Sequence, residues 1–218
     1  MNLSKTFIAG LFMAATTFAH AQDEAPRNLF SNSGRTAHGG WAAPTADHTR
    51  ILDQDALLVG LRAGWLIDHR ITIGLAGKGL VTRVDNAAFD AHLVESGQRL
   101  NDRSRFQLGY GGLLIEPIIA YRSPVHVSLP ILIGAGGCGY SYNSSGYRDG
   151  QWHGSYFDHA KAFLVVEPGV EVELNLVPFL RLGMGISYRY TSEVELAATP
   201  NDVLHGLNAG VSLKVGRF

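Results

Sequence analysis

The chain is poor in cysteine, in charge and, beyond its first 21 residues, in uninterrupted apolar sequence. A single cysteine, Cys138, among 218 residues cannot close an internal disulfide, so no covalent staple holds the fold; its expected role is that of a small packed side chain. Charged residues make up 17%, against about 25% in an average soluble protein. Their near balance, a net −1, offers no basic footprint for nucleic acid. After residue 21 the apolar runs are broken by Glu116, Glu167 or glycine, so none could cross a membrane as a helix, which takes about 20 residues. Disorder is excluded as well, because 46% of the chain is hydrophobic. Only glycine is in surplus: 26 of 218 residues, or 26/218 = 12%, against about 7% on average, and without the three-residue period of collagen.

What is present begins with an address. Lys5 is followed by the apolar stretch 6–18 and then by Ala19-His20-Ala21, a small-x-small cleavage site before Gln22. This is the pattern of a secretory signal peptide, too short to anchor as a membrane helix. Cleavage leaves 218 − 21 = 197 residues. No cysteine follows the cleavage site, so no lipoprotein anchor is expected. Residues 22–33, polar and containing Pro26, are predicted to form a flexible periplasmic leader ahead of one folded unit, 34–218.

That unit has a period of two. Between 179 and 191, Leu180, Leu182, Met184, Ile186, Tyr188 and Tyr190 alternate with Arg181, Gly183, Gly185, Ser187, Arg189 and Thr191. Leu207, Ala209, Val211, Leu213 and Val215 alternate in the same way with Asn208, Gly210, Ser212, Lys214 and Gly216. Such segments are strands with one apolar and one polar or small face. Eight are predicted, over 34–43, 56–67, 70–83, 104–122, 126–142, 161–174, 178–191 and 204–218. Short connections at 68–69, 123–125 and 175–177 alternate with longer polar ones at 44–55, 84–103, 143–160 and 192–203, as in an antiparallel up-and-down meander. Ile115-Glu116-Pro117 and Val166-Glu167-Pro168 echo each other at an offset of 51 residues, which places Glu116 and Glu167 similarly on neighbouring hairpins. Because proline removes a ladder hydrogen bond, a bulge is expected near Pro117 and Pro168.

The alternation is inside out for a soluble protein. A solvated face would carry abundant charge, whereas the minor parity here is glycine, serine and a few charges, which suits a narrow interior. The other parity is almost wholly apolar, as a lipid-facing band must be, and several strands exceed the 9–11 residues or so needed to cross a bilayer at a tilt. Closing the sheet satisfies its backbone internally, the condition for strands to stand in lipid. Trp65, Tyr121 and Phe179 at the short-turn ends, with Tyr140, Tyr142, Tyr188 and Tyr190 at the long-loop ends, are expected to form two aromatic belts.

With its signal peptide, eight amphipathic strands, alternating loop lengths and C-terminal Phe218, the segment 34–218 resembles the small eight-stranded outer-membrane β-barrels of Gram-negative bacteria, of the OmpX and OmpA transmembrane-domain type. The resemblance implies an all-β, antiparallel, up-and-down transmembrane barrel with both termini periplasmic. It also implies outer-membrane lipid and lipopolysaccharide as surroundings, and a final phenylalanine read by the barrel-assembly machinery. Phe218 departs from that pattern, since it shares the parity of Lys214 and Gly216.

An eight-stranded barrel is just wide enough for its own side chains to fill. The inward set is predicted to contain Arg62, Lys78, Glu116, Glu167, Glu171, Glu173, Arg181, Arg189 and Lys214. Arg181 is expected to face Glu171 or Glu173 across a tight turn. Both signs are present, so an internal salt-bridge plug is expected rather than an ion path. Neither a cofactor nor a metal site is expected, and the loops 84–103 and 143–160 are the surfaces free to meet an extracellular partner. Two other classes remain open. His126-Val127-Ser128 has the His-x-Ser spacing of outer-membrane lipid A deacylases, although it lies beside a short turn. A soluble lipocalin-like carrier would instead turn the apolar parity inward. The loop residues His153, Asp158 and His159 could ligate a metal but read as ordinary polar loop residues.

Overall fold

A computed structural model of the chain describes residues 38–98, 100–143, 147–148, 151–152 and 155–218, with the backbone alone taken at 147–148, 151–152 and 155–159. The expected signal peptide and leader lie outside the described residues. The strands are β1 (His38–Ile51), β2 (Gln54–Ile67), β3 (Ile71–Leu80), β4 (Arg105–Ile119), β5 (Val125–Ser128), β6 (Ile131–Asn143), β7 (Tyr147–Arg148), β8 (Gln151–Trp152), β9 (Ser155–Val177), β10 (Leu180–Thr191) and β11 (Gly206–Arg217), with one helix, α1 (Ala87–Glu95). β7 and β8 pair only with each other.

The remaining strands close into a ring. β1 pairs with β2, β2 with β3 and β3 with β4; β9 pairs with β10, β10 with β11, and β11 returns to β1, all antiparallel. β5 and β6 together fill the place between β4 and β9. They hold one register against β4, Ile118 facing Ser128 and Ile115 facing Ile131, and so act as a single stave. The result is an eight-stranded antiparallel up-and-down barrel. Turns at Asp68–Arg70, Ala120–Pro124 and Pro178–Phe179 mark one end, the turn end; the other is the loop end.

Period two becomes an inside and an outside. Leu61, Leu75, Ile133, Leu164, Ile186 and Leu207 point out, Leu75 and Leu164 each 68% exposed. Leu58, Leu66, Leu114, Leu132 and Phe163 point in. A soluble carrier would have the reverse arrangement. The outward aromatic set is smaller than expected. Trp65, Phe179, Tyr188 and Tyr190 are exposed, but Tyr140 and Tyr142 are buried because they share the inward parity of Leu132 and Cys138.

Three expectations about connections are corrected. The segment 44–55 is not a long loop: β1 continues to Ile51 and turns at Leu52 and Asp53, both with positive φ (51° and 58°). That mirror-image turn matches the twist of a tight hairpin, but it is written without the glycine or asparagine that usually announces it. The segment 84–103 contains α1. Asn86 caps this helix, its side chain accepting from the backbone N–H of Ala88 and Phe89, and Phe89 and Leu93 are buried. No register shift occurs at Pro117 or Pro168; the shifts lie at Leu180/Arg181 and Cys138/Tyr140. Pro117 and Pro130 each keep the accepting half of their pairs, from the N–H of Leu129 (2.9 Å) and Gly169 (2.8 Å). Where the two prolines lack donors, the strand is interrupted for two residues, Leu129 and Pro130, between β5 and β6.

Some of the glycine surplus is a matter of strand approach. Gly112 and Gly134 face each other across β4 and β6, and a Cβ on either would collide with the other strand's backbone. Gly134→Val should lower resistance to urea unfolding in detergent micelles by about 1–3 kcal/mol, while Ala135→Val, on the outward face, leaves the urea midpoint unchanged.

Candidate functional site

Among the described residues, the inward parity gathers ten charged side chains in the lumen: Arg62, Lys78, Arg181, Arg189 and Lys214 against Asp47, Glu116, Glu167, Glu171 and Glu173. Nine are those expected from alternation. Asp47 is the addition, missed because its strand was read as loop. Removing a charge from water is costly unless a partner is supplied, and the registers supply partners in three tiers.

Nearest the loop end, Lys78 Nζ lies 2.8 Å from Glu167 Oε1 and 3.0 Å from Asp47 Oδ2. Tyr110 Oη and Ser187 Oγ donate to Glu167 at 2.7 and 2.6 Å. In the middle, Arg62 Nη2 meets Glu171 Oε2 at 2.7 Å, and Ser212 Oγ donates to the other oxygen, also at 2.7 Å. Gly183 leaves space for this contact, since a Cβ there would strike Glu171 and Ser212. Toward the turn end, Lys214 donates to Glu116 and, at 2.7 Å, to Glu173. Its ammonium lies 4.5 Å from the centre of the Trp41 ring, whose indole N–H donates to Thr72.

Glu173 resolves a conflict in the register. Arg181 and Lys214 are directly opposite on β10 and β11, an unfavourable like-charge pair. One Glu173 oxygen serves Lys214; the other lies 3.7 Å from Arg181 Nη1 and 3.0 Å from His126 Nε2. Arg189 differs from the rest. It makes no ion pair among the described residues; its Nε donates to the Leu204 carbonyl at 2.5 Å and Nη1 to Asn208 at 3.5 Å. It therefore ties the connection after β10 to the lumen. A void of about 50 Å³ among Asp47, Arg62, Lys78, Glu167 and Glu171 has room for a few water molecules.

Both mouths are covered by side chains. At the loop end Phe89 of α1 stacks on Tyr140, ring centres 3.9 Å apart, and Asn86 donates to the Tyr140 hydroxyl at 2.7 Å. Val194, Leu196, Val203 and Leu204 complete this apolar cap. Arg83 staples the base of the α1 connection by bonding Asp85 and Asp102. That hydrogen bond from Arg83 holds the Asp102 carboxyl below its ordinary pKa, so the staple is intact above the usual carboxylate range and released as pH falls through the lowered value. At the turn end, Phe218 keeps the inward parity, its ring 3.8 Å from the Arg181 guanidinium carbon.

The His-x-Ser pair is in the lumen. His126 and Ser128 are buried beside Glu173, out of reach of an acyl chain on the outer wall. Cys138 is likewise buried. Among the described residues no group of three or more metal-ligating side chains occurs; the side chains of His153, Asp158 and His159 lie outside the described residues.

No protein-family model matches the sequence, and no curated protein does so either. Solved structures do match. Neisserial surface protein A, at 13% identity and a TM-score of 0.51, aligns over 82% of this chain and 96% of its own. A major outer membrane protein from Thermus thermophilus, at 11% identity and a TM-score of 0.53, aligns over 81% and 99%. The fold is thus the eight-stranded barrel of small outer-membrane proteins.

Because Lys214 serves Glu116, Glu173 and, at 3.5 Å, Glu171, its loss leaves several buried anions short of a partner. Lys214→Met should lower the unfolding free energy in detergent by about 3–5 kcal/mol, with partial recovery in Lys214→Met/Glu116→Gln; equal losses in the single and double variants would show that the tier is not coupled.

Proposed function

We propose that the protein is an integral outer-membrane barrel with a structural or surface-interaction role, carried by its long loops, and with a lumen sealed rather than conducting. The observation that carries this reading is the apolar outward face on a closed ring surrounding a lumen in which, among the described residues, five cations face five carboxylates. Every element of that arrangement suits lipid outside and a fixed plug inside. The neighbouring folds named above belong to outer-membrane proteins, which supports the same address. An even number of staves puts both chain ends at the turn end, which would be periplasmic after signal-peptide removal. The surroundings would then be phospholipid and lipopolysaccharide, and the assembly machinery would read the final strand with Phe218. The connection 84–103 and, since β6 runs to Asn143 and β9 starts at Ser155, the part of the expected loop 143–160 that lies between them, 144–154, would face outward, toward an extracellular partner. No chemistry is assigned to His126-Val127-Ser128, which faces the lumen.

Fractionation tests the address. The mature protein is expected in outer membranes with heat-modifiable mobility in detergent gels; recovery from the soluble periplasm would overturn the reading. In planar bilayers the purified barrel should give no discrete conductance steps, and Arg62→Ala or Lys78→Ala, which remove plug side chains, should be the variants in which steps first arise. Deleting 144–154 should abolish surface binding of cells to host or matrix ligands while leaving heat-modifiability intact, if the loops carry the role.

A further inference from the structure

The turn end carries a cationic aromatic cluster that the lumen does not use. Tyr121, in the turn between β4 and β5, has the Arg70 guanidinium 5.4 Å from its ring centre and the Arg122 guanidinium at 5.5 Å. The His69 ring lies parallel to it at 6.3 Å with 6° between planes. Arg70 and Arg122 come from adjacent turns, brought together by the β3–β4 pairing. Arg70 has only a loose, exposed neighbour in Asp68, at 3.6 Å, and Arg122 makes no ion pair among the described residues. A third arginine, Arg217, ends β11 on the outward parity, and is exposed.

Position gives this cluster its meaning. It lies directly below the outward apolar wall, at the level of the exposed Trp65 and Phe179, where aromatic rings mark the boundary between hydrocarbon and headgroups. Asp68 is the sole carboxylate side chain among the described turn-end residues, whereas the loop end is rich in acids, with Asp53, Asp85, Glu95, Asp102, Glu195 and Asp202. The acids are therefore sorted away from the turn end, whereas arginines stand at both ends, Arg83, Arg103 and Arg105 at the loop end in ion pairs with Asp85 and Asp102. Arg70, by hydrogen bonding, and both guanidinium charges also hold the Tyr121 hydroxyl below its ordinary pKa.

We propose that Arg70, Tyr121 and Arg122 form a seat for the phosphate of an anionic phospholipid headgroup in the leaflet that meets the turn end. Each guanidinium beside the ring carries the planar donor fork that suits a phosphate. The ring keeps both arginines at the surface, and the acyl chains run up the wall beside Ile119 and Val125, both exposed. Each arginine adjoining an anionic surface gains from its potential. This site rests on the membrane reading above, but names a partner that reading does not specify.

The test uses the refolded mature barrel in bilayers of phosphatidylcholine alone and of phosphatidylcholine with phosphatidylglycerol. The wild type should unfold at a higher temperature in the anionic bilayer, by about 2–4 °C for each participating arginine. Arg70→Gln/Arg122→Gln should lose most of that shift, and native mass spectrometry should show phosphatidylglycerol retained by the wild type and not by the variant. Arg103→Gln/Arg105→Gln, at the loop end, should keep both properties. An equal midpoint in the two bilayers, or an undiminished shift in the double variant, overturns the seat. If inorganic phosphate added to the phosphatidylcholine sample reproduces the whole shift, the site takes soluble phosphate and the lipid assignment is overturned. Failure to insert into phosphatidylcholine at all would instead count against the membrane reading itself.

Discussion

Closure of the sheet is the constraint from which the other features follow. A strand edge presents unpaired N–H and C=O groups, which lipid cannot satisfy. Joining β11 to β1 removes both edges at once. Once the ring is closed, parity has a physical meaning: each residue faces either hydrocarbon or a lumen too narrow for bulk water. The apolar outer parity and the paired charges inside are two responses to that one partition.

The lumen then has to be filled without trapping charge. Long cationic side chains reach across it to short carboxylates on other staves, so Lys78 of β3 meets Glu167 of β9 and Lys214 of β11 meets Glu116 of β4. Hydroxyls from Ser187, Ser212 and Tyr110 complete the carboxylate hydrogen bonds. Small residues at Gly183 and Gly134 set how closely backbones and these heads approach. Low charge content, high glycine content and an almost unused cysteine are consequences of this geometry.

Most of the barrel was legible because alternation is a local signal, and seven staves advertise it with branched or aromatic residues on the outer parity. β1 was only half legible. Its outward residues Ala42, Pro44, Ala46, His48 and Arg50 are not an apolar series, and its turn uses Leu52 and Asp53 where glycine or asparagine would have been readable. Asp47 was lost from the lumen for the same reason. Nine of the ten luminal charges followed from parity alone. Their partners did not, apart from the neighbour-strand approach of Arg181 to Glu173, because pairing across a lumen depends on stagger and reach, which no short window encodes. α1 was hidden too: nine residues with only Phe89 and Leu93 buried give little helical periodicity, and it is the aromatic surface of Tyr140 that selects it.

The tiers also bear on how the chain reaches this state. The ion pairs join residues 89 apart for Lys78 and Glu167, 98 for Lys214 and Glu116, and 109 for Arg62 and Glu171. None of these three can form within a hairpin; within one, only Arg181 and Glu173 approach, across the β9–β10 turn. For Lys78, Arg62 and Lys214 the partner is reached when distant staves meet, and Lys214 sits on the strand that closes the ring. Such a network favours the finished ring over every partly closed sheet, and contacts this remote in sequence belong to the topologies that form slowly.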